Sequence, residues 1–266
     1  MENKNRKPQF EKVLYLPYTK GLIQFFCMSV KKLAVVAIAI LEQAKQTLAD
    51  FERLVLCLWV VAHNANKLEG ICSISSSVCD NIFCKARQLL KDCICAFCYA
   101  FNQQSYQTGL KEHNILNGII LRNILIPVKA FKALRIIYPY LRIESFGDVA
   151  NVVQARNYIR IIKAFPQKRC AIWSKNISIW KQAFEIEGKP KNTTFVFSSS
   201  FLNKQANIDK EKYWFVDHVF TVYTKQYAKE NNIVINCGGR KCIECIKAKK
   251  ACYYRNTELY INELKK

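Results

Sequence analysis

The chain has 266 residues, with 41 Lys and Arg against 20 Asp and Glu, 13 cysteines, 8 glycines and 6 prolines. With 51% of it hydrophobic it can bury a large core in one or two domains, which excludes wholesale disorder and collagen-like or low-complexity character. A net charge of +21 points to nucleic acid or another anionic ligand as partner.

The opening residues 1–7 are polar and mixed in charge, with no short apolar core and small-residue cleavage site behind them. The longest apolar runs, 33–41 and 54–62, are about half the ~20 residues of a membrane-spanning helix. The expectation is a chain without a membrane span in a reducing, cytoplasmic setting. There, clustered cysteines signal metal or iron–sulfur ligation before disulfides, and an odd cysteine count forbids complete internal pairing.

Residues 1–68 read as a helical extension. Leu33, Val36, Ala37, Ile40, Leu41, Ala44, Leu48, Phe51, Val55 and Leu58 recur at helical steps. Residues 69–266 read as a separate α/β domain. Its first part, 71–100, looks like a loop organised by cysteines, and 106–132 like a helix broken before Pro127. Strands are then expected at 141–145, 169–174, 194–198, 218–223 and 233–236, and helices at 151–165, 178–187 and 227–231. This alternation predicts a parallel sheet, either open or part of a TIM-like (β/α) barrel.

Ligands of such folds bind at the carboxyl ends of the strands. Those ends carry Glu144, Ser145, Gly147 and Asp148, then Ser174, Lys175 and Asn176, then Ser198 to Ser200. Glu144 and Asp148 are the candidate catalytic acids, because paired carboxylates beside basic residues are costly without a purpose. Arg142, Ser145, Gly147, Ser174, Lys175 and Ser198 are candidate cofactor contacts.

The cysteines fall into two groups. Cys237, Cys242, Cys245 and Cys252 have the spacing C-x4-C-x2-C-x6-C, in a segment with 8 Lys and Arg against 3 Asp and Glu from 237 to 266. Four thiolates this close suit a zinc ion or an iron–sulfur cluster. Gly238 and Gly239 allow a tight knuckle, and Lys250 is among the cations around it. The other group is Cys79, Cys84, Cys95 and Cys98, with Cys93 competing for the third place and Cys72 set aside as structural. Cys27, Cys57 and Cys170 lie in apolar surroundings and read as core. His63, His113 and His218 fall in no catalytic motif and read as structural. No phosphate-binding glycine loop or nucleophile elbow occurs.

Cys95-Ala-Phe-Cys98-Tyr-Ala100, Arg142-Ile-Glu-Ser-Phe-Gly-Asp148, Ala171-Ile-Trp-Ser-Lys175 and the stretch from Asn236 to Cys245 resemble the phage and mobile-element gene product 88-like family. The resemblance covers residues 68–266. It implies a distant likeness to radical S-adenosylmethionine proteins, an iron–sulfur cluster, and S-adenosylmethionine as a cosubstrate. By that likeness Cys84, Cys95 and Cys98 match the first cysteine group, and Arg142, Ser145, Gly147 and Asp148 the strand-end motif. Cys237, Cys242, Cys245 and Cys252 match the last group. The usual radical-enzyme spacing C-x3-C-x2-C is absent here. The competing expectation is a Zn2+-stabilised nucleic-acid-binding protein, with Tyr253, Tyr254 and Arg255 as stacking and phosphate contacts.

Overall fold

A computed structural model describes residues 47–265 except 239, 250, 251, 256 and 257, together with Val35 and Ala39. The rest of the helical pattern from Leu33 to Ala44, and Cys27, Gly239 and Lys250, lie outside the described residues.

Helix α1 (Leu48–Leu56) opens on a reciprocal cap. The Thr47 hydroxyl accepts from the Asp50 amide, and the Asp50 carboxylate accepts from the Thr47 amide. Helical structure was expected to run on to residue 68, but it stops at Leu56. Strands β1 (Val61–His63) and β2 (Ile71–Ile74) follow as an antiparallel pair. The reason is local. Trp59 to Val61 is an aromatic and β-branched run that favours extended backbone. The Asn117 side chain accepts from the Trp59 amide at 2.8 Å and donates to its carbonyl at 3.0 Å. A second bond to the Ser75 carbonyl at 2.9 Å ties this clamp to the end of β2. From Leu48 onward the chain thus belongs to the sheet domain, with Leu54 and Val55 fully buried in its core.

The stretch expected as a cysteine-organised loop carries more regular structure than that. It holds β2, helix α2 (Ile82–Gln88), a 3-10 turn at Ile94–Phe97, and the start of α3 (Tyr99–Tyr106). Helix α4 (Thr108–Asn123) then ends well before Pro127. There the Asn157 amide donates to the carbonyls of Leu121 and Ile124 at 2.7 and 2.6 Å, satisfying groups a helix end leaves open.

The remaining strands are β3 (Tyr140–Ile143), β4 (Arg169–Ser174), β5 (Thr193–Ser198), β6 (His218–Tyr223) and β7 (Tyr260–Leu264). The seven strands lie in the order β1-β2-β3-β4-β5-β6-β7, and every pairing from β2 to β7 is parallel. Helices α5 (Val152–Ala164) and α6 (Ile177–Glu187) make the crossovers on either side of β4, and α7 (Lys225–Glu230) and α8 (Cys242–Lys247) lie between β6 and β7. The architecture is α/β with a mostly parallel sheet. No helix among the described residues is long and apolar enough to cross a membrane.

Residues 233–236, expected as a strand, instead run beside β7. The Asn236 amide group donates to the Tyr260 carbonyl at 2.9 Å, and its Oδ1 accepts from the Asn262 amide at 2.8 Å. These side-chain bonds join a single parallel bridge, Cys237 to Glu263, in place of a full ladder. The true last strand, β7, lies in the basic tail, where Asn262 and Glu263 hide its alternation.

Period-two side chains give the sheet two apolar faces. Cys72, Ile74, Leu141, Ile143, Cys170 and Ile172 join the main core, to which the helices contribute Tyr158, Trp180 and Phe184. On the other face Ile71, Ala171, Tyr140 and Trp173 pack against Cys242, Ile246, Cys252 and Tyr253. Next to them, Val196, Phe220 and Ile261 pack against Cys237 and Cys252. The C-terminal cysteine segment is therefore the cover of the second face. His218 pins it in place, with its ring nitrogens 2.8 Å from the carbonyl oxygens of Tyr254 and Glu258.

Trp180 is fully buried, and its ring contacts Tyr158, Phe184 and Phe195. Trp180→Ala removes this junction between α5, α6 and β5 and is expected to cost about 3–5 kcal/mol. Urea unfolding followed by circular dichroism measures it as a lowered midpoint.

Candidate metal and ligand site at the carboxyl rim

The carboxyl ends of β2 to β5 form one polar rim, and a buried acid pair holds it together. Glu144 follows β3 in a left-handed backbone conformation (φ 57°), uncommon for a residue with a side chain. Its carboxylate is 3% exposed as a residue and accepts four bonds. They come from Ser76 Oγ at 2.7 Å, the Ser76 amide at 3.1 Å, Tyr158 OH at 2.6 Å and Gln154 Nε2 at 3.1 Å. Asp148 accepts from Ser174 Oγ at 2.5 Å, the Lys175 amide at 2.7 Å and the Val149 amide at 2.8 Å. A carboxylate offers about four lone-pair sites. The protein's own donors thus fill Glu144 and nearly fill Asp148. Proposed from the sequence as catalytic acids, both act in the structure as cross-links between loops.

Burial pushes the Glu144 carboxyl up to about 7, against the pull of its Tyr158 and Ser76 bonds. Burial raises Asp148 as well, against Ser174 and the Lys175 amide.

Gly147 sits inside this knot. A Cβ there would lie 2.5 Å from the Ser76 carbonyl oxygen and 2.8 Å from Glu144 Oε2. The Ser145 amide donates to Ser75 Oγ at 2.9 Å, and its carbonyl accepts from Tyr99 OH at 2.5 Å. Its own hydroxyl is buried without a partner among the described residues. Lys175 reaches across to Ser198 Oγ at 3.0 Å.

The first cysteine group lies over this rim. Arg87 Nη1 donates to Ser200 Oγ at 2.5 Å, the Ile94 amide donates to the Ser200 carbonyl at 2.8 Å, and Cys93 forms a bridge to Phe201. The loop is thereby fastened to the end of β5. Cys84, Cys95 and Cys98 are near enough to act on one another electrostatically. Burial raises the Cys84 thiol, and Asp148, Glu144, Cys95 and Cys98 raise it further. Burial pushes Cys95 up to about 12, although Lys175 pulls it down, and Cys93 also contacts it. Cys79 stands at the turn after β2, its amide on Ser77 Oγ at 3.0 Å, and the contacts that join the trio do not include it.

The second group lies on the covered face of the sheet, and Arg142 belongs to it rather than to the rim. The Arg142 guanidinium is 4.3 Å from the Trp173 ring centroid and lowers the thiols of Cys242 and Cys252 against a larger rise from burial. Its Nε has no hydrogen-bond partner among the described residues. Lys67 Nζ is 3.9 Å from Cys237 Sγ, and the Lys67 carbonyl accepts from the Cys242 amide at 2.8 Å. Cys237 and Cys242 both sense Cys245, and Cys252 senses Cys237 and Cys242. Each of the four sequence-predicted ligands thus lies close enough to another of them to act on it electrostatically. Sequence reasoning missed Lys67 as a companion of these thiols, since it lies 170 residues before Cys237.

Both sets are thiols, the donors that zinc and iron–sulfur centres take. Among the described residues no three His, Cys, Asp or Glu side chains stand in a closed ligand arrangement. The fit is therefore one of donor type and neighbourhood. Tyr253 is buried, Tyr254 lies 4.5 Å from the Arg169 guanidinium, and Arg255 donates to the carbonyls of Thr193 and Pro190. These three residues hold the segment to the sheet.

Comparison with known proteins adds no relative: no family model, no curated protein and no solved structure matches the chain. The functional reading rests on the geometry.

Gly147→Ala forces backbone apart at the acid pair and is expected to cost about 1–3 kcal/mol, read as a lower thermal midpoint. The raised carboxyls also set a pH dependence. The native chain keeps protons that the unfolded chain releases, so stability is greatest below the ordinary carboxyl range, near 4.5 for Glu144. It then falls as pH rises to about 7, the native value of Glu144. Thermal unfolding between these limits is expected to show that fall, and Glu144→Gln to flatten it.

Proposed function

We propose that the protein is an iron–sulfur protein whose rim cluster, held by Cys84, Cys95 and Cys98, serves a radical S-adenosylmethionine-like reaction of the mobile-element type. The observation that carries this reading is the fastening of the loop with Cys84, Cys95 and Cys98 to the end of β5, where the three thiols act on one another electrostatically and Lys175 acts on Cys95. The sequential order of six parallel strands supports it, being the order a partial (β/α) barrel takes. Cys84, Cys95 and Cys98 would hold such a cluster through three thiolates, and the cluster, reduced by an external electron donor, would supply reductive chemistry toward a cosubstrate such as S-adenosylmethionine.

In this reading the chain's own residues position and shield. Lys175 sets positive charge beside Cys95 and favours its thiolate. The Ser145 hydroxyl, buried and unpartnered, is a free polar contact on the rim, with Ser198 next to Lys175. Ser174 and Gly147 act indirectly, by fixing Asp148 and the turn after β3. Cys237, Cys242, Cys245 and Cys252 hold a second, closed centre that staples the cover to the sheet, with Arg142 and Lys67 offsetting its negative charge.

A second reading has one observation of its own. Four thiols on the covered face, away from the rim, suit a structural zinc ion. Such a chain would be a zinc-stabilised nucleic-acid-binding protein.

Iron, zinc and acid-labile sulfide, measured on anaerobically purified protein, separate the two. Iron and sulfide are expected, with Cys95→Ser losing the rim share and Cys252→Ser losing the other share together with stability. Stoichiometric zinc without sulfide overturns the iron–sulfur reading. Burial raises Cys84, Cys95 and Cys252, so loading releases protons and is expected to strengthen with pH.

A further inference from the structure

A cleft of about 510 Å³ opens beside the cysteine loop, on the β5 to β7 side of the rim. Three lysines line it: Lys91 from the loop, Lys204 from beyond β5, and Lys265 from the end of β7. Asp92 is the acid among them. Two phenyl rings share the wall. Lys265 Nζ is 4.1 Å from the Phe97 ring centroid, and Lys204 Nζ is 5.7 Å from that of Phe201. Phe97 nevertheless stays 62% exposed and Phe201 40%. Exposed rings held beside ammonium groups form a surface that stacks flat, electron-rich rings and neutralises phosphates together.

We infer that this cleft binds a nucleoside phosphate, its base on Phe97 and Phe201 and its phosphates on Lys91, Lys204 and Lys265. The cleft borders the rim thiols, since Cys93 lines it and Phe97 lies between Cys95 and Cys98, while its three lysines stand outside both thiol groups. Two sources carry this chemistry, a free nucleotide or a nucleotide within a single strand. The lysines come from three separate segments, so the cationic face is assembled by the fold and is not a charge run in the sequence.

Full-length protein is titrated with ATP, with tripolyphosphate, and with a labelled oligothymidine of about eight nucleotides, a length within the usual single-strand site size. Binding of ATP well above tripolyphosphate marks a free-nucleotide site, and binding of the oligothymidine marks a strand site. Either supports the inference. Phe97→Ala is expected to weaken the bound probe about tenfold through lost stacking. Neutralisation of three phosphates gives a log–log salt slope of about −2 for the strand, so moving from about 50 to about 200 mM salt weakens it about twentyfold. The double variant Lys204→Glu with Lys265→Glu is compared with Lys132→Glu with Lys191→Glu, a pair outside the cleft lining. The first pair is expected to abolish most binding and the second to leave most of it. No binding of ATP or oligothymidine, equal binding of ATP and tripolyphosphate without strand binding, or equal losses from the two lysine pairs overturns the inference.

Discussion

The rim depends on one buried constraint, the donor-saturated carboxylates Glu144 and Asp148. Each lies behind β3, yet their bonds reach Ser76 after β2, Ser174 and Lys175 at and after the end of β4, and Gln154 and Tyr158 on α5. Three strand ends and a helix are fixed to two side chains. The arrangement needs a left-handed residue at 144 and no side chain at 147. A buried carboxylate without donors would be far more costly than this geometry, because burial penalises the charge directly. The many bonds are thus the condition for having acids there at all. They also deliver Lys175 and Ser145 to a defined place at the strand ends.

The second dependency concerns the other face of the sheet. Sequential parallel crossovers in one direction leave a sheet with helices on one side and a bare apolar side to cover. Here Trp173, Ala171, Val196 and Phe220 are covered by a segment rich in lysine and cysteine. That segment has little apolar mass, and α8 is only six residues long. Its anchors are correspondingly specific: His218 on two carbonyls, Arg255 on two more, and Tyr253 fully under the surface. Under the proposed reading, a metal held by four thiols would staple this small cover in place of hydrophobic bulk.

The sequence reveals β3 to β6 and their polar ends because Arg169–Ser174, Thr193–Ser198 and His218–Tyr223 are compact runs bounded by breakers and helices. It hides β1 and β2, since Val61–His63 follows a helical pattern without a glycine or proline and becomes extended only through Asn117, 58 residues away from Trp59. It hides β7 behind asparagine and glutamate. At the site, the cysteine groups are legible as clusters, but their surroundings are not. Spacing grouped Cys79, Cys84, Cys95 and Cys98, and in the fold Cys84, Cys95 and Cys98 act on one another electrostatically. The family resemblance put Arg142 in a strand-end motif, whereas alternation within β3 turns it to the opposite face from Leu141 and Ile143. Pattern reading counts residues along a strand; which side of the sheet a residue serves depends on what packs there.

The two thiol groups differ in the charge the protein sets beside them, and the difference bears on what each suits. At the covered face, Arg142 and Lys67 both favour thiolates, which matches a closed centre whose own charge is negative. At the rim, Cys84 meets Asp148 and Glu144, and Lys175 is the cation acting on Cys95. Three metal-bound thiolates there, above two carboxyls, would make an electronegative bowl. Under the proposed reading, that bowl favours a partner on the open iron that brings positive charge, and a sulfonium with an ammonium group does so. The adjacent cleft has the opposite character, with three lysines to one acid. A cationic cosubstrate on one side and an anionic nucleoside phosphate on the other would then be sorted by field alone, each repelled from the place the other occupies.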